Sequence, residues 1–473
     1  MAQPHVVVLG AGPAGLGGAY RLRTLDRARV TVLERNASVG GNAGSFEWGG
    51  HTLDFGSHRL HPACDPDILA DIRRLLGDDL LTRPRHGRIR LRGRWIHFPL
   101  LPVDLFLRLD RRFAFGAARD MLLPRRASSD GPPSFASVLR QSLGPTVCDA
   151  FYFPYARKIW GRDPSELSAV QAKKRVSANS FGKLVRKVMK MVPGFGSPMS
   201  GKFLYPRGGF GQISSVLADE AMAAGADLRL GSTVVSARAP QGPDDPWQVV
   251  TRQNDEESVL HADQVWSTIP LTVLTRIVEG AQAEPPRAAA DAMRFRAMLL
   301  VYVALDVDRF TPFDAHYLPE EGVRITRLSE PKNYAARSEP AGRTVLCAEL
   351  PCSTDDPWWT MEPAELGQLV AEDLRRSGIP LPHEPREVLV RRLPQAYPIY
   401  LDGYEAHFDA LDRWIETLPR FLSYGRQGLF AHDNTHHALA MAYGAADCMG
   451  DDGFDHERWA EYRRAFESHV VED

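Results

Sequence analysis

Hydrophobic positions along this chain change their rhythm several times. HVVVL and RVTVL are unbroken apolar runs, and between them AGLGGAYRLRTL repeats its apolar residues at helical spacing. Apolar strands without alternation are covered on both faces, so this opening predicts strand, helix and strand in a parallel sheet. From about residue 99 to residue 192 the pattern is helical with polar turns. Strand-like runs return at ADLRLGSTVVSARA, QVVTRQ and DQVWSTIP, and again at MLLVYVALDV, TVLCAEL and REVLVRRL. Near the end, GLFAHDNTHHALAMAYGAADCM predicts a strand, a turn and a helix of small residues. RAPQGPDDP is linker-like and predicts a surface turn, and no internal repeat is present.

The first strand ends in a glycine turn. Gly10, Gly12 and Gly15 stand as G-x-G-x-x-G between strand and helix, and Glu34 closes the second strand about twenty residues on. In that context the glycines let backbone approach a pyrophosphate, and the helix N-terminus supplies donors and a positive dipole end. A carboxylate at the second strand's end can take both hydroxyls of a ribose; the plainer alternative is a solvated strand-end acid. These residues suit FAD and NAD alike. The order of patterns predicts a discontinuous cofactor domain at 1–98, 206–285 and 401–473. A helical domain at 99–205 and a β-sheet substrate domain at 286–400 are inserted into it.

Composition narrows the class. The chain has 473 residues, too many for one core, with 44% hydrophobic and 25% charged positions. A net charge of −2 gives no electrostatic case for nucleic acid or an anionic membrane. Five cysteines without a C-x-x-C pair imply free thiols in a reducing, cytoplasmic setting. The chain enters a strand directly, so no leader is expected, and no apolar run reaches the roughly 20 residues of a spanning helix. FPLLPVDLFLRL, residues 98–109, predicts a buried loop and helix start, with a membrane-surface patch as the alternative. His432, His436 and His437 lack a second cluster of carboxylates, so no metal is expected.

After the second strand comes NASVGGNAGSFEWGGHTLDFGSHRLH. With the glycine turn, this resembles the glutathione-reductase-type flavoproteins, in their amine-oxidase, protoporphyrinogen-oxidase and UDP-galactopyranose-mutase branches. The resemblance implies an α/β fold: a FAD-binding Rossmann domain with inserted helical and antiparallel β-sheet substrate domains. It implies FAD lying along Glu34, Arg35, Gly41 and Asn42, with adenine held at Val234 or Val235 of STVVSA. In GRQGLFAHDNTHHAL it implies Arg426 near the pyrophosphate and a helix from near Asn434 whose N-terminus points at the flavin pyrimidine.

Other stretches select a branch. FYFPYARKIWGRDPSELSAVQAKKRV resembles the mutase helix rich in aromatics, which implies substrate roles for Tyr155, Trp160 and Arg175. KFLYPRGGFGQI resembles the mutase turn against the flavin, at residues 207–211. HYLPEEGVRITRLSEPKNY resembles its substrate strand, implying Tyr317, Arg327, Asn333 and Tyr334. DFGSH resembles its D-x-G-x-H loop, implying His58 over the isoalloxazine. Most of the chain is covered, by spaced motifs.

The activity so implied is a nucleotide-sugar pyranose–furanose mutase, in which N5 of the reduced flavin attacks the anomeric carbon and no net electrons move. A diphosphate needs guanidinium forks, and Arg175 and Arg327 come from different insertions, as two sides of a clamp would. Tyr317 is a third contact or a half-buried strand tyrosine. His58 orients the sugar, accepts from flavin N5–H, or is a buried structural histidine. Base recognition departs from the mutase: Phe98, Pro99, Leu100 and Leu101 replace its aromatic–Pro–aromatic–Gln run, Ala156 its helix asparagine, and Phe430 a tyrosine. UDP-galactose is therefore not the expected best substrate. AYPIYLDGYEAHFDAL resembles protoporphyrinogen-oxidase-like proteins, with Tyr397 and Tyr400 as wall candidates, Tyr400 more as core. The rival expectation is a FAD-dependent oxidoreductase acting on an uncharged small molecule; NAD(P)H is a candidate reductant for the mutase, whereas an oxidase would consume oxygen.

Overall fold

The computed structural model describes residues 3–98, 108–122, 132–175, 201–450 and 453–471. Strand β1 (His5–Leu9), helix α1 (Pro13–Thr24) and strand β2 (Arg29–Leu33) form the unit expected at the start. β1 lies at the centre of a five-stranded parallel sheet. Gln264–Ser267 and then Phe421–Ser423 follow on one side, β2 and then Asp227–Arg229 on the other. The unbroken valines of β1 serve two cores. Val6 and Val8 pack with α1 and with residues of the helices Gln212–Ala223 and Thr435–Asp447. Val7 and Leu9 pack on the opposite face with Trp247, Leu411 and Trp414. A second, mostly antiparallel sheet runs Glu256–Ala262, Trp247–Gln253, Thr233–Arg238 and Val278–Glu279.

The third sheet has seven strands, in the order Glu387–Ile399, Arg294–Leu305, Thr344–Cys352, Arg327–Ser329, Ala315–Tyr317, Gly87–Leu91 and Arg94–Phe98. Its two faces differ in chemistry. Leu299, Val301, Leu346 and Ala348 are buried with Leu366 and Val370 of the helix Pro363–Arg376. On the other face, register pairs carry Leu300 to Glu349, Glu349 to Arg327 and Arg327 to Tyr317. Residues in register share a face, so the sheet turns a charged and aromatic strip away from its aliphatic core.

Two boundaries differ from expectation. The hairpin Gly87–Phe98 falls in the stretch assigned to the cofactor domain, yet it pairs with Ala315–Tyr317 and extends the seven-stranded sheet. A short hairpin needs an edge to pair with, and that sheet presents one. Likewise Lys202–Pro206, at the end of the stretch assigned to helices, is a strand paired with Leu80–Pro84. The strand expected at GLF lies earlier, at Phe421–Ser423. Gly425–Gly428 is a helical turn instead, entered through Gly425 at φ +82°. Among the described residues, the expected helical region holds Arg111–Leu122, Phe135–Leu143, Phe153–Trp160 and Ala169–Arg175. Pro99, Leu100 and Leu101 lie outside the described residues. No helix among the described residues is long and apolar enough to cross a membrane.

Candidate cofactor and substrate site

At the end of β1 the three glycines meet different constraints. Gly10 sits at φ +101° and donates its N–H to the Leu33 carbonyl at 2.8 Å. A Cβ on Gly15 would collide with the Gly10 carbonyl oxygen, so this glycine lets the turn close on the helix. A Cβ on Gly12 would meet nothing within 4 Å, and one on Gly41 would meet only the Gly12 Cα, at 3.5 Å. Gly12 and Gly41 thus border an open cradle at the N-terminus of α1, where no side chain caps the helix. Such a terminus binds a phosphate. The buried Glu34 carboxylate stands beside it. Its Oε2 accepts from the Ala11 N–H at 2.9 Å, and its Oε1 from the Asn36 N–H at 2.9 Å and Nδ2 at 2.6 Å. Arg35 is exposed just beyond, and Asn42 is half-buried in the turn Gly41–Ala43.

Two further expected contacts have local structure to match. The ladder of Thr233–Arg238 slips between Val234 and Ser236, which leaves Val235 out of the pairing register. Asn434 is the N-cap of Thr435–Asp447 in a reciprocal capping box with His437. Arg426 leans toward the substrate sheet, donating to the Ala396 carbonyl at 2.7 Å with its guanidinium 5.1 Å from the Tyr397 ring centre. A long dinucleotide fits this donor set: Gly12 and Gly41 would admit its pyrophosphate, Glu34 its ribose, and residues 234–235 its base.

The loop DFGSH is organised by Asp54. Its buried carboxylate accepts from Ser45 Oγ at 2.6 Å, Tyr205 OH at 2.5 Å and the Phe210 N–H at 2.9 Å. The Ser45 hydroxyl oxygen accepts from the Gly211 N–H at 2.7 Å. One carboxylate therefore ties the D-x-G-x-H loop to the glycine turn at 207–211, and burial raises its pKa. His58 stacks on Phe210 with ring centres 5.3 Å apart. Its Nε2 lies 2.9 Å from the Phe55 carbonyl, which can only accept, so Nε2 carries the proton. Burial holds the ring pKa below the usual imidazole range, so the ring is neutral and Nδ1 is left as an acceptor.

Arg327 and Tyr317 face each other in register on the charged strip. Arg327 pairs with Glu349 at 2.7 Å, and the same carboxylate oxygen accepts from the Ser57 N–H at 2.9 Å. Burial alone would lower the guanidinium pKa, but Glu349 and the neighbouring tyrosines raise it well above its ordinary value. The Arg327 side chain keeps 17% of its surface open against 5% for Glu349, so the cation is the outer member of the pair.

Other predicted residues fall elsewhere. Trp160 is buried, edge-on to His432 at 4.9 Å and to Tyr397 at 5.9 Å. Tyr155 stacks on Phe151 at 5.8 Å. Asn333 spends its amide on the carbonyls of Thr311 and Phe313, both at 2.8 Å, so its donors brace a loop. Tyr400 and Phe430 are buried together, with ring centres 5.7 Å apart, and Ala156 is buried among apolar neighbours. Arg175 ends the helix Ala169–Arg175, and its side chain lies outside the described residues. Among the described residues Asp433, His437 and His469 come close enough for a metal. The two rings stack 4.3 Å apart at 14°, so their in-plane lone pairs run side by side rather than converging.

Sequence reasoning passed over Arg59, the neighbour of His58. Its guanidinium pairs with Asp314 at 3.2 Å and donates to Tyr317 OH at 3.2 Å and Tyr334 OH at 3.1 Å. Glu349, Asp54 and Tyr205 were passed over as well. For Arg59 the only signal was adjacency to a motif histidine, whereas Asp54 is the first residue of the D-x-G-x-H motif itself.

The family model for flavin containing amine oxidoreductases matches residues 13–441. Phytoene dehydrogenase of Streptomyces griseus is 27% identical over 285 residues, which are 53% of this chain and 52% of that protein. The chloroplastic protoporphyrinogen oxidase of Oryza sativa subsp. japonica is 26% identical over 85% of this chain and 80% of its own. Reduced UDP-galactopyranose mutase superposes with a TM-score of 0.79 at 20% identity, over 100% of this chain and 99% of its own. That likeness is one of fold.

Proposed function

The chain belongs to the flavin-containing amine oxidoreductase family, whose cofactor is FAD, and from that premise we propose a FAD-dependent nucleotide-sugar pyranose–furanose mutase. The observation that carries this reading is the guanidinium of Arg327, paired with Glu349 but the more open member of that pair, in register with Tyr317. A cation and a phenol on one wall suit the diphosphate of a nucleotide-sugar. Arg175, at the end of a helix from the other insertion, is assigned to the opposite wall. Arg327 and Tyr317 hold the leaving diphosphate as its charge develops, and the His58 Nδ1 accepts from a sugar hydroxyl. Bound FAD, in its reduced form, supplies the nucleophile for the anomeric carbon. Buried Ala156 and Phe430 bring no polar group to a base edge, so UDP-galactose is not the proposed best substrate.

The second reading is an oxidoreductase acting on an uncharged substrate, for which half-buried Tyr397, edge-on to buried Trp160, is the aromatic wall candidate. The names of the curated relatives point the same way. One experiment separates the two. The dithionite-reduced protein is given UDP-, TDP- and GDP-sugars, products are resolved by chromatography, and oxygen uptake is followed with the oxidised protein. The mutase reading expects an isomer of equal mass without stoichiometric redox change, and NAD(P)H replacing dithionite. Oxygen uptake with another substrate, and no isomer from any nucleotide-sugar, would overturn it.

A further inference from the structure

We infer that Arg59 is the second guanidinium of the anion site: with Arg327 it binds a diphosphate, and it aims the hydroxyls of Tyr317 and Ser57 at that ligand. The inference rests on the nucleotide-sugar reading above and adds to it the residue that completes the described half of the clamp.

Geometry carries the argument. Arg59 lies in the loop after His58, which is pinned immediately downstream by the paired bonds of Leu60 and Leu204, at 2.9 and 3.0 Å. Its guanidinium lies over the rings of Phe203 and Tyr334, 5.2 and 5.1 Å from their centres. It donates to Tyr317 and Tyr334, and Tyr317 is the register partner of Arg327. The two cations therefore flank one phenol, although they stand 268 positions apart in the chain.

The acceptors distinguish Arg59 from the structural cations of this protein. Lys332 ends on the carbonyls of Asp308, Pro340 and Arg343 and on the Asp308 carboxylate, and Arg296 on the carbonyls of Ile159 and Pro351 with a single hydroxyl, Ser353 Oγ. A carbonyl receives a hydrogen bond and passes nothing on. A phenol that receives one must send its own proton elsewhere. Tyr334 and Ser57 Oγ share a hydrogen bond in which either hydroxyl can donate; the inferred arrangement has Tyr334 donating, which frees the serine proton, and the Tyr317 proton is likewise turned away from Arg59. Burial keeps the Tyr334 phenol protonated. Arg59 Nε is buried without an acceptor, as are the Nε atoms of Arg83 and Arg88. As with Arg327, the cation is the more open member of its pair, at 10% against 6% for Asp314. Two cations on either side of the Tyr317 phenol, with the Ser57 hydroxyl beside them, form a donor set for a compact polyanion rather than for an amine or a hydrocarbon.

The test uses the oxidised holoenzyme and titrates inorganic pyrophosphate, UDP and, as a dianion without phosphate, succinate, followed by calorimetry and flavin absorbance. Pyrophosphate and UDP are expected to bind and succinate not to. Arg59→Met is expected to weaken pyrophosphate roughly tenfold or more at unchanged FAD content. Arg59→Lys should recover part of the loss, and Tyr317→Phe, which keeps the ring, should weaken binding less. Unchanged pyrophosphate affinity in Arg59→Met, or in both Arg59→Lys and Tyr317→Phe should the methionine variant not fold, overturns the inference. So does succinate binding as tightly as pyrophosphate, or no binding of either phosphate compound. Arg59-dependent pyrophosphate binding without isomerisation of any nucleotide-sugar would leave this inference standing and remove the mutase reading alone.

Discussion

Gly12 and Gly15 stand three residues apart and answer to different partners. Gly15 is required by the chain itself, because any Cβ there runs into the Gly10 carbonyl, and backbone cannot move aside cheaply. Gly12 has φ −77° and open space around it, so only a ligand entering the cradle would feel a side chain. Gly12→Ala should therefore fold with a melting temperature near that of the FAD-free parent and yet lose FAD, read as the ratio of absorbance at 450 and 280 nm. Gly15→Ala should lose both FAD and soluble yield. Equal behaviour of the two variants would remove the cradle from the space between Gly12 and Gly41.

The helix Phe153–Trp160 shows how an element of ordinary sequence is aimed. Pro154 at its first turn and Gly161 at φ +63° just past its end set its length. Its direction comes from Arg296 on the substrate sheet, whose guanidinium donates to the Ile159 carbonyl at 3.1 Å, the Lys158 carbonyl at 3.4 Å and Ser353 Oγ at 2.8 Å. A cation at a helix C-terminus also meets the negative end of the dipole. Arg296→Met leaves those carbonyls buried without that donor and should cost about 2–3 kcal/mol of stability by thermal denaturation of the holoprotein. Arg296→Lys should recover part of that. Turnover should fall along with stability, because Trp160 packs on His432 at the end of this helix.

At the scale of the whole molecule, the parallel sheet is assembled from residues 5–33, 227–267 and 421–423, so FAD would touch segments brought together only by folding. A ligand that binds the native state alone stabilises it by RT ln(1 + [L]/Kd), about 2.7 kcal/mol at one hundred times Kd. The melting temperature of the FAD-stripped protein should therefore rise steadily with added FAD. A melting temperature indifferent to FAD would mean that the cofactor does not bridge the three segments.

The opening strand, helix and strand, the glycine turn and Glu34 were legible in the sequence because each is a local matter. Periodicity over a dozen residues decides helix or strand, and a glycine turn between them has few other uses. The small-residue helix after Asn434 was legible for the same reason. The hairpin Gly87–Phe98 was not, since its own pattern says strand but does not say which edge it joins. Nor was Arg59. An arginine beside a histidine carries no signal until folding sets it against Tyr334, 275 residues away, and Asp314. The sequence by itself determined the cofactor turn, the class of the elements and the covered faces of the first sheet, through short-range sterics and hydrophobic spacing. Only the tertiary structure decided which charges come together, because sheet register and chain crossovers place Arg59, Arg327, Glu349 and Tyr317 side by side from separate strands and loops.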